Sequence, residues 1–121
     1  MLIEYINPNF EFEDNRGKLV QLVRTGWNQV NYIYSKKDAI RGKHYHKMNN
    51  EIFFVISGRI ELILETRDRN QVERYILGDN SFFKVAPNIV HSFIFKEDTV
   101  IISMYDKGVE TPDNTKDIFS L

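Results

Sequence analysis

RGKHYHKMNNEIFFVISG, residues 41–58, carries two histidines one residue apart, His44 and His46, then Glu51, then an apolar run closed by Gly58. Alternate side chains of a strand share a face, so His44 and His46 point the same way. The polar KMNN that follows reads as a turn into the next strand, which lets the Glu51 carboxylate swing in beside the two imidazoles. The third histidine, His91, stands far downstream in VAPNIVHSF, at the start of another strand. Three histidines and one carboxylate, if they converge, make either a nitrogen-rich metal site or an acid/base site with no metal.

Short strands extend to both sides of this segment. Residues 2–6 read as a strand ended by Asn7-Pro8-Asn9, and KLVQLVR (18–24) as another, broken by Gly26. In NQVNYIYS (28–35), Gln29, Asn31 and Ile33 share one face, while Val30, Tyr32 and Tyr34 share the other. Downstream, EIFFVIS (51–57) turns at Ser57-Gly58-Arg59 into IELILE (60–65). The charged TRDRN (66–70) is a solvated hairpin end before VERYIL. SFFKVA, HSFIF and TVIISMY (99–105) complete the series, and the polar tail DKGVETPDNTKDIFSL reads as irregular or as an arm laid on a neighbour. No segment has sustained helical periodicity with caps. Closely spaced strands punctuated by Gly, Asn and Pro predict one all-β domain over residues 1–121, an antiparallel sandwich or small barrel.

Composition narrows the function classes. A net charge of -1 gives no reason to expect nucleic acid or an anionic membrane as partner. Without cysteine a thiolate metal site is excluded. The N-terminus carries acids early and has no basic patch before an apolar run, so a cytoplasmic location is expected. Nine Phe and six Tyr in short alternating runs agree with strands.

The spacing His44-x-His46, four residues, Glu51, six residues, Gly58 resembles the first motif of the cupin superfamily. Gly78 with Ala86-Pro87-Asn88-Ile89-Val90-His91 is similar to the second, with a longer gap and with Asn88 where a glycine usually stands. Asparagine tolerates positive φ better than most residues, so that departure is mild. The resemblance implies a double-stranded β-helix, a jelly-roll-like barrel, with His44, His46, Glu51 and His91 as metal ligands.

A narrower resemblance runs through Asp14-x-Arg16-Gly17, Gln29-x-Asn31 and Arg41-Gly42-x-His44 to the sugar-nucleotide cupins. These include 3,5-epimerases of dTDP-4-keto-6-deoxyhexoses, 3,4-ketoisomerases, and the C-terminal cupin of capsular polysaccharide reductase/epimerases. The last is the nearest, and it implies a divalent metal, zinc first, with iron, manganese or nickel as alternatives. It also implies a homodimer, often with exchanged N-terminal strands. The ketoisomerases carry a Tyr where Asn31 stands, which counts against that activity.

The implied chemistry is epimerisation, C3 favoured, beside the ketone of a nucleotide-linked 4-keto-6-deoxyhexose in surface polysaccharide synthesis. The alternatives are a metal-free ketoisomerase, an oxygenase, or a non-catalytic metal cupin. Removing a proton next to a carbonyl calls for a base of near-neutral pKa, and His44 or His46 would serve. A histidine whose lone pair binds metal cannot also take that proton, so the two roles of His44 compete. Tyr32 and Tyr34 are candidates for the acid, and Tyr45 is discounted because it lies opposite its flanking histidines. Arg16 and Arg41 suit a diphosphate, and the amides of Gln29 and Asn31 suit sugar hydroxyls. Trp27, beside Gly26, reads as core or contact surface rather than as a stacking platform.

Overall fold

The computed structural model describes residues 1–121. Its strands in chain order are β1 (Glu4–Tyr5), β2 (Phe10–Asp14), β3 (Gly17–Gln21), β4 (Gln29–Ser35), β5 (Ile40–Tyr45) and β6 (Glu51–Ser57), then β7 (Arg59–Thr66), β8 (Val72–Gly78), β9 (Phe82–Val85), β10 (Ile89–Phe95), β11 (Thr99–Tyr105) and β12 (Phe119–Ser120). One five-stranded sheet runs β1-β9-β6-β11-β4 and a second runs β12-β5-β10-β7-β8, every pairing antiparallel. The chain thus crosses repeatedly between two facing sheets, the cupin double-stranded β-helix. No helix is long and apolar enough to cross a membrane.

Period-two patterning builds the core. In β7, Ile60, Leu62 and Leu64 are buried while Glu61, Ile63 and Glu65 are only partly covered. They meet Phe53 and Val55 of β6, Phe83 and Val85 of β9, and Phe93 and Phe95 of β10. Phe53 stacks on Phe83 at a centroid distance of 5.2 Å and meets Phe93 at 5.1 Å. Burying each such side chain contributes about 1.5–3 kcal/mol.

Ile52, Phe82 and Met104 form a second cluster, with Leu22, Val23 and Trp27 packed against it. This explains why β3 stops at Gln21 instead of running to residue 24: Leu22 and Val23 leave the hairpin to cover the sheet. Trp27 belongs to the same cover. The hairpin itself, β2 with β3, pairs with no other strand, and Phe10, Phe12 and Leu19 stay exposed.

Two turns depend on the residue that stands in them. Gly58 has φ 121°, and a Cβ there would lie 2.7 Å from Thr99 Cα, so only glycine fits. Asn88 has φ 66°, the left-handed conformation its side chain tolerates, and its N–H donates to the His46 carbonyl at 2.7 Å. The two histidine segments are tied together there.

The tail is irregular up to residue 118, as expected, but it ends in a short strand on this chain's own sheet. β12 pairs with this chain's own β5, placing Phe119 opposite Tyr45 and Ser120 opposite His44. Apolar contact holds it, since the Phe119 ring stacks on Tyr45 at 5.5 Å.

Candidate active site and metal centre

His44 on β5 and His91 on β10 are direct cross-strand partners, and Glu51 opens β6 beside Tyr105 at the end of β11. His46 lies one residue beyond β5, in the turn that leads to Glu51. His46, Glu51 and His91 are all buried, and one potential ligand atom from each lies within 4.8 Å of the others. His44 is half-buried and stands outside that trio. It lines a cavity of about 110 Å³ together with Ile33, Arg41, Glu51, His91 and Tyr105, with Phe53 and Phe93 among its apolar walls.

Both buried imidazoles face one carboxylate oxygen. His46 Nε2 lies 3.1 Å from Glu51 Oε1, and His91 Nε2 lies 3.5 Å from it. On its other side, His46 Nδ1 donates to the Asp117 carbonyl at 2.6 Å. A carbonyl can only accept, so Nδ1 carries a proton. Nε2 then either carries a second proton or directs its lone pair at a carboxylate oxygen, an arrangement a cation between them would satisfy. Two imidazole nitrogens and one carboxylate oxygen suit a divalent transition metal, and a carbonyl behind a ligating histidine is the usual support. The residues fit such an ion.

The trio's electrostatics are uneven. Burial pushes His91 down to about 4, against the attraction of Glu51, so its ring is neutral around pH 7. Burial also lowers His46, but its hydrogen bonds to Glu51 and to the Asp117 carbonyl outweigh that and leave it raised. His91 Nδ1 is buried without a hydrogen-bond partner.

Tyr105 is the tyrosine that the strand pattern did not single out. It is buried, edge-on to His46 at 5.0 Å, and part of the cavity wall. Burial raises its phenol well above the ordinary value, and the neighbouring Glu51 carboxylate acts in the same direction, so it stays protonated. Tyr32 and Tyr34 point outward, 69% and 48% exposed. Tyr45 is buried on the outer side, beneath Phe119 and the Arg67 guanidinium.

The structure does not bring together all the residues considered for substrate. Arg41 lines the cavity, its Nε donating to Ser35 Oγ at 2.9 Å. Arg16 is exposed on the separate hairpin and pairs with Asp14 at 2.6 Å. Gln29 accepts from the Val109 N–H at 2.9 Å and donates to Asn31 at 3.3 Å, while Asn31 donates to Ser103 Oγ at 3.3 Å. These amides are satisfied within the chain and do not line the cavity.

Among solved structures, the fold is similar to dTDP-4-dehydrorhamnose 3,5-epimerase from Sulfolobus tokodaii, at 21% identity and a TM-score of 0.76 over 100% of this chain and 82% of that one. It is similar to QdtA, a sugar 3,4-ketoisomerase from Thermoanaerobacterium thermosaccharolyticum, at 19% identity and TM-score 0.77, covering 98% of this chain and 87% of that one. The capsular polysaccharide assembling protein CapF from Staphylococcus aureus matches at 21% identity and TM-score 0.69, covering 93% of this chain but only 32% of CapF. Likeness at these identities establishes a shared fold. No curated protein matches the chain. A family match, described as the polysaccharide biosynthesis C-terminal domain, covers residues 12–116. A match over that much of the sequence, on a cupin barrel with His44 and His91 lining one cavity, means that the chain belongs to the polysaccharide biosynthesis C-terminal domain family.

Proposed function

We propose that the protein is an isomerase acting beside the ketone of a nucleotide-linked 4-keto-6-deoxyhexose, with epimerisation at C3, in surface polysaccharide synthesis. The observation that carries this reading is the cavity that His44 and Tyr105 share. A base and a protonated phenol in one small, partly apolar space are what C–H proton exchange next to a carbonyl needs. His44 takes the C3 proton, leaving an enolate whose charge rests on the C4 oxygen. Tyr105, kept protonated by its surroundings, returns a proton to the opposite face. The Nη groups of Arg41 receive the diphosphate. The family description and the sugar-nucleotide enzymes that share the fold support the substrate class.

His46, Glu51 and His91 would hold a divalent metal, zinc by preference, with His44 left free for proton transfer. Bound there, the metal would polarise the ketone and favour the enolate.

The working form in this reading is a homodimer. Phe12 and Leu19 are cross-strand partners on one exposed face of the β2–β3 hairpin, and Val30, Tyr32, Tyr34 and Ile56 are exposed on the outer side of a barrel sheet. A hairpin laid across a second copy would bury both surfaces and carry Arg16 to the partner's cavity.

The test is NMR of dTDP-4-keto-6-deoxyglucose incubated with the protein in D2O. Deuterium at C3 with appearance of the C3 epimer is the expected result. Migration of the ketone would make the protein a ketoisomerase instead, and absence of deuterium from every position would overturn the isomerase reading.

A further inference from the structure

The tail that returns over β5 does more than close the barrel. Its one buried acidic residue, Asp117, holds the turn that carries His46 at several points. The Asp117 carboxylate accepts from the backbone N–H groups of Lys47 at 2.8 Å, Met48 at 3.0 Å and Asn49 at 3.0 Å, and from Asn49 Nδ2 at 2.8 Å. Asn49 is itself buried and passes the connection on. Its Oδ1 accepts from the Lys107 and Gly108 N–H groups, just past Tyr105. The strap is fastened on the outside by the Phe119 ring between Tyr45 and the Lys47 ammonium, which lies 4.3 Å from the ring centroid.

From this geometry we infer that Asp117 is a positioning residue whose strap selects the tautomer of His46 and so turns the Nε2 lone pair into the site. The inference rests on the proposed reading of His46 as a site residue. Two acceptors compete for the ring proton, the Asp117 carbonyl at 2.6 Å from Nδ1 and Glu51 Oε1 at 3.1 Å from Nε2. With the strap seated, the proton of the neutral ring sits on Nδ1. With the strap loosened, the same ring gains more by placing its proton on Nε2 and donating to Glu51. The lone pair then faces away from Glu51 and His91.

The test reads the His46 ring nitrogens by 15N NMR in metal-free full-length protein, at a pH well above the ordinary histidine range, for wild type and Asp117→Ala. Zinc affinity is measured on both against a competing chelator. The expected result is an Nδ1–H ring in wild type, a shift to Nε2–H in the variant, and zinc binding weaker by about 10–100-fold. An unchanged tautomer in a folded Asp117→Ala protein would overturn the inference. If that variant does not fold, Phe119→Ala, which loosens the strap without touching the carboxylate, decides by the same two outcomes. A shifted tautomer with no zinc bound by either protein would sustain the positioning role and remove the metal from the proposed function.

Discussion

Tyr105 and His44 divide the proposed chemistry, and their variants must fail in different ways. His44→Ala should lose both solvent exchange at C3 and epimer formation by about 10²–10⁴-fold, since the proton is never removed. Tyr105→Phe should keep the exchange and lose the epimer by a similar factor, because removal and return on one face need only His44. Measuring both rates in D2O separates these outcomes, and parallel loss of both in Tyr105→Phe would contradict the assignment. His91 gives a prediction in pH. Its folded value of about 4 lies below the ordinary 6.5, so the unfolded chain takes up the proton first as the pH falls. The stabilisation is fully present above about 6.5 and drains away towards 4, on the order of 3 kcal/mol at most. His46, shifted the other way, opposes part of it. Urea titrations with a chelator present should show this slope reduced in His91→Gln; equal slopes would show that burial of His91 is not what sets it.

At the scale of elements, the turn at Gly58 and the strap at β12 show what patterning along a sequence can and cannot reveal. Gly58→Ala would force a side chain into both a left-handed backbone and the Thr99 backbone, and should cost about 3 kcal/mol or more in urea unfolding. A loss below about 1 kcal/mol would mean that the turn can rearrange. The nearness of His44, His46, Glu51 and Gly58 was readable because alternation and one short turn bring them together within a few residues, but the separation of His44 from the buried trio was not. Asn88 was readable because its conformational tolerance is a property of the residue itself. Tyr105 was not readable. It reaches the cavity only because β11 lies between β4 and β6, and such pairing leaves no mark in local periodicity. Asp117 was less so: it follows an irregular segment and precedes a strand of two residues, too short for any period. Gln29 and Asn31 were correctly placed on one face, but the Ser103 hydroxyl and Val109 N–H that satisfy them come from distant parts of the chain.

For the whole molecule, the all-β barrel followed from strand spacing and turn residues, whereas the exposed β2–β3 hairpin takes its role from the proposed homodimer. Sedimentation should give about twice the chain mass of 14.4 kDa for wild type and the single mass for Phe12→Lys/Leu19→Lys, with core unfolding unchanged. A monomeric wild type would contradict the dimer and leave Arg16 as the surface ion pair it makes with Asp14. In the proposed function two tasks are divided, with His46, Glu51 and His91 holding a metal while His44, on the adjoining cavity wall, moves a proton. The most direct test of this division is the metal content of tag-free wild-type, His44→Ala and His46→Ala proteins by elemental mass spectrometry. Near-stoichiometric divalent metal, zinc foremost, is expected in wild type and His44→Ala, with its loss in His46→Ala. Loss of the metal from His44→Ala, or its absence from wild type, would contradict that division.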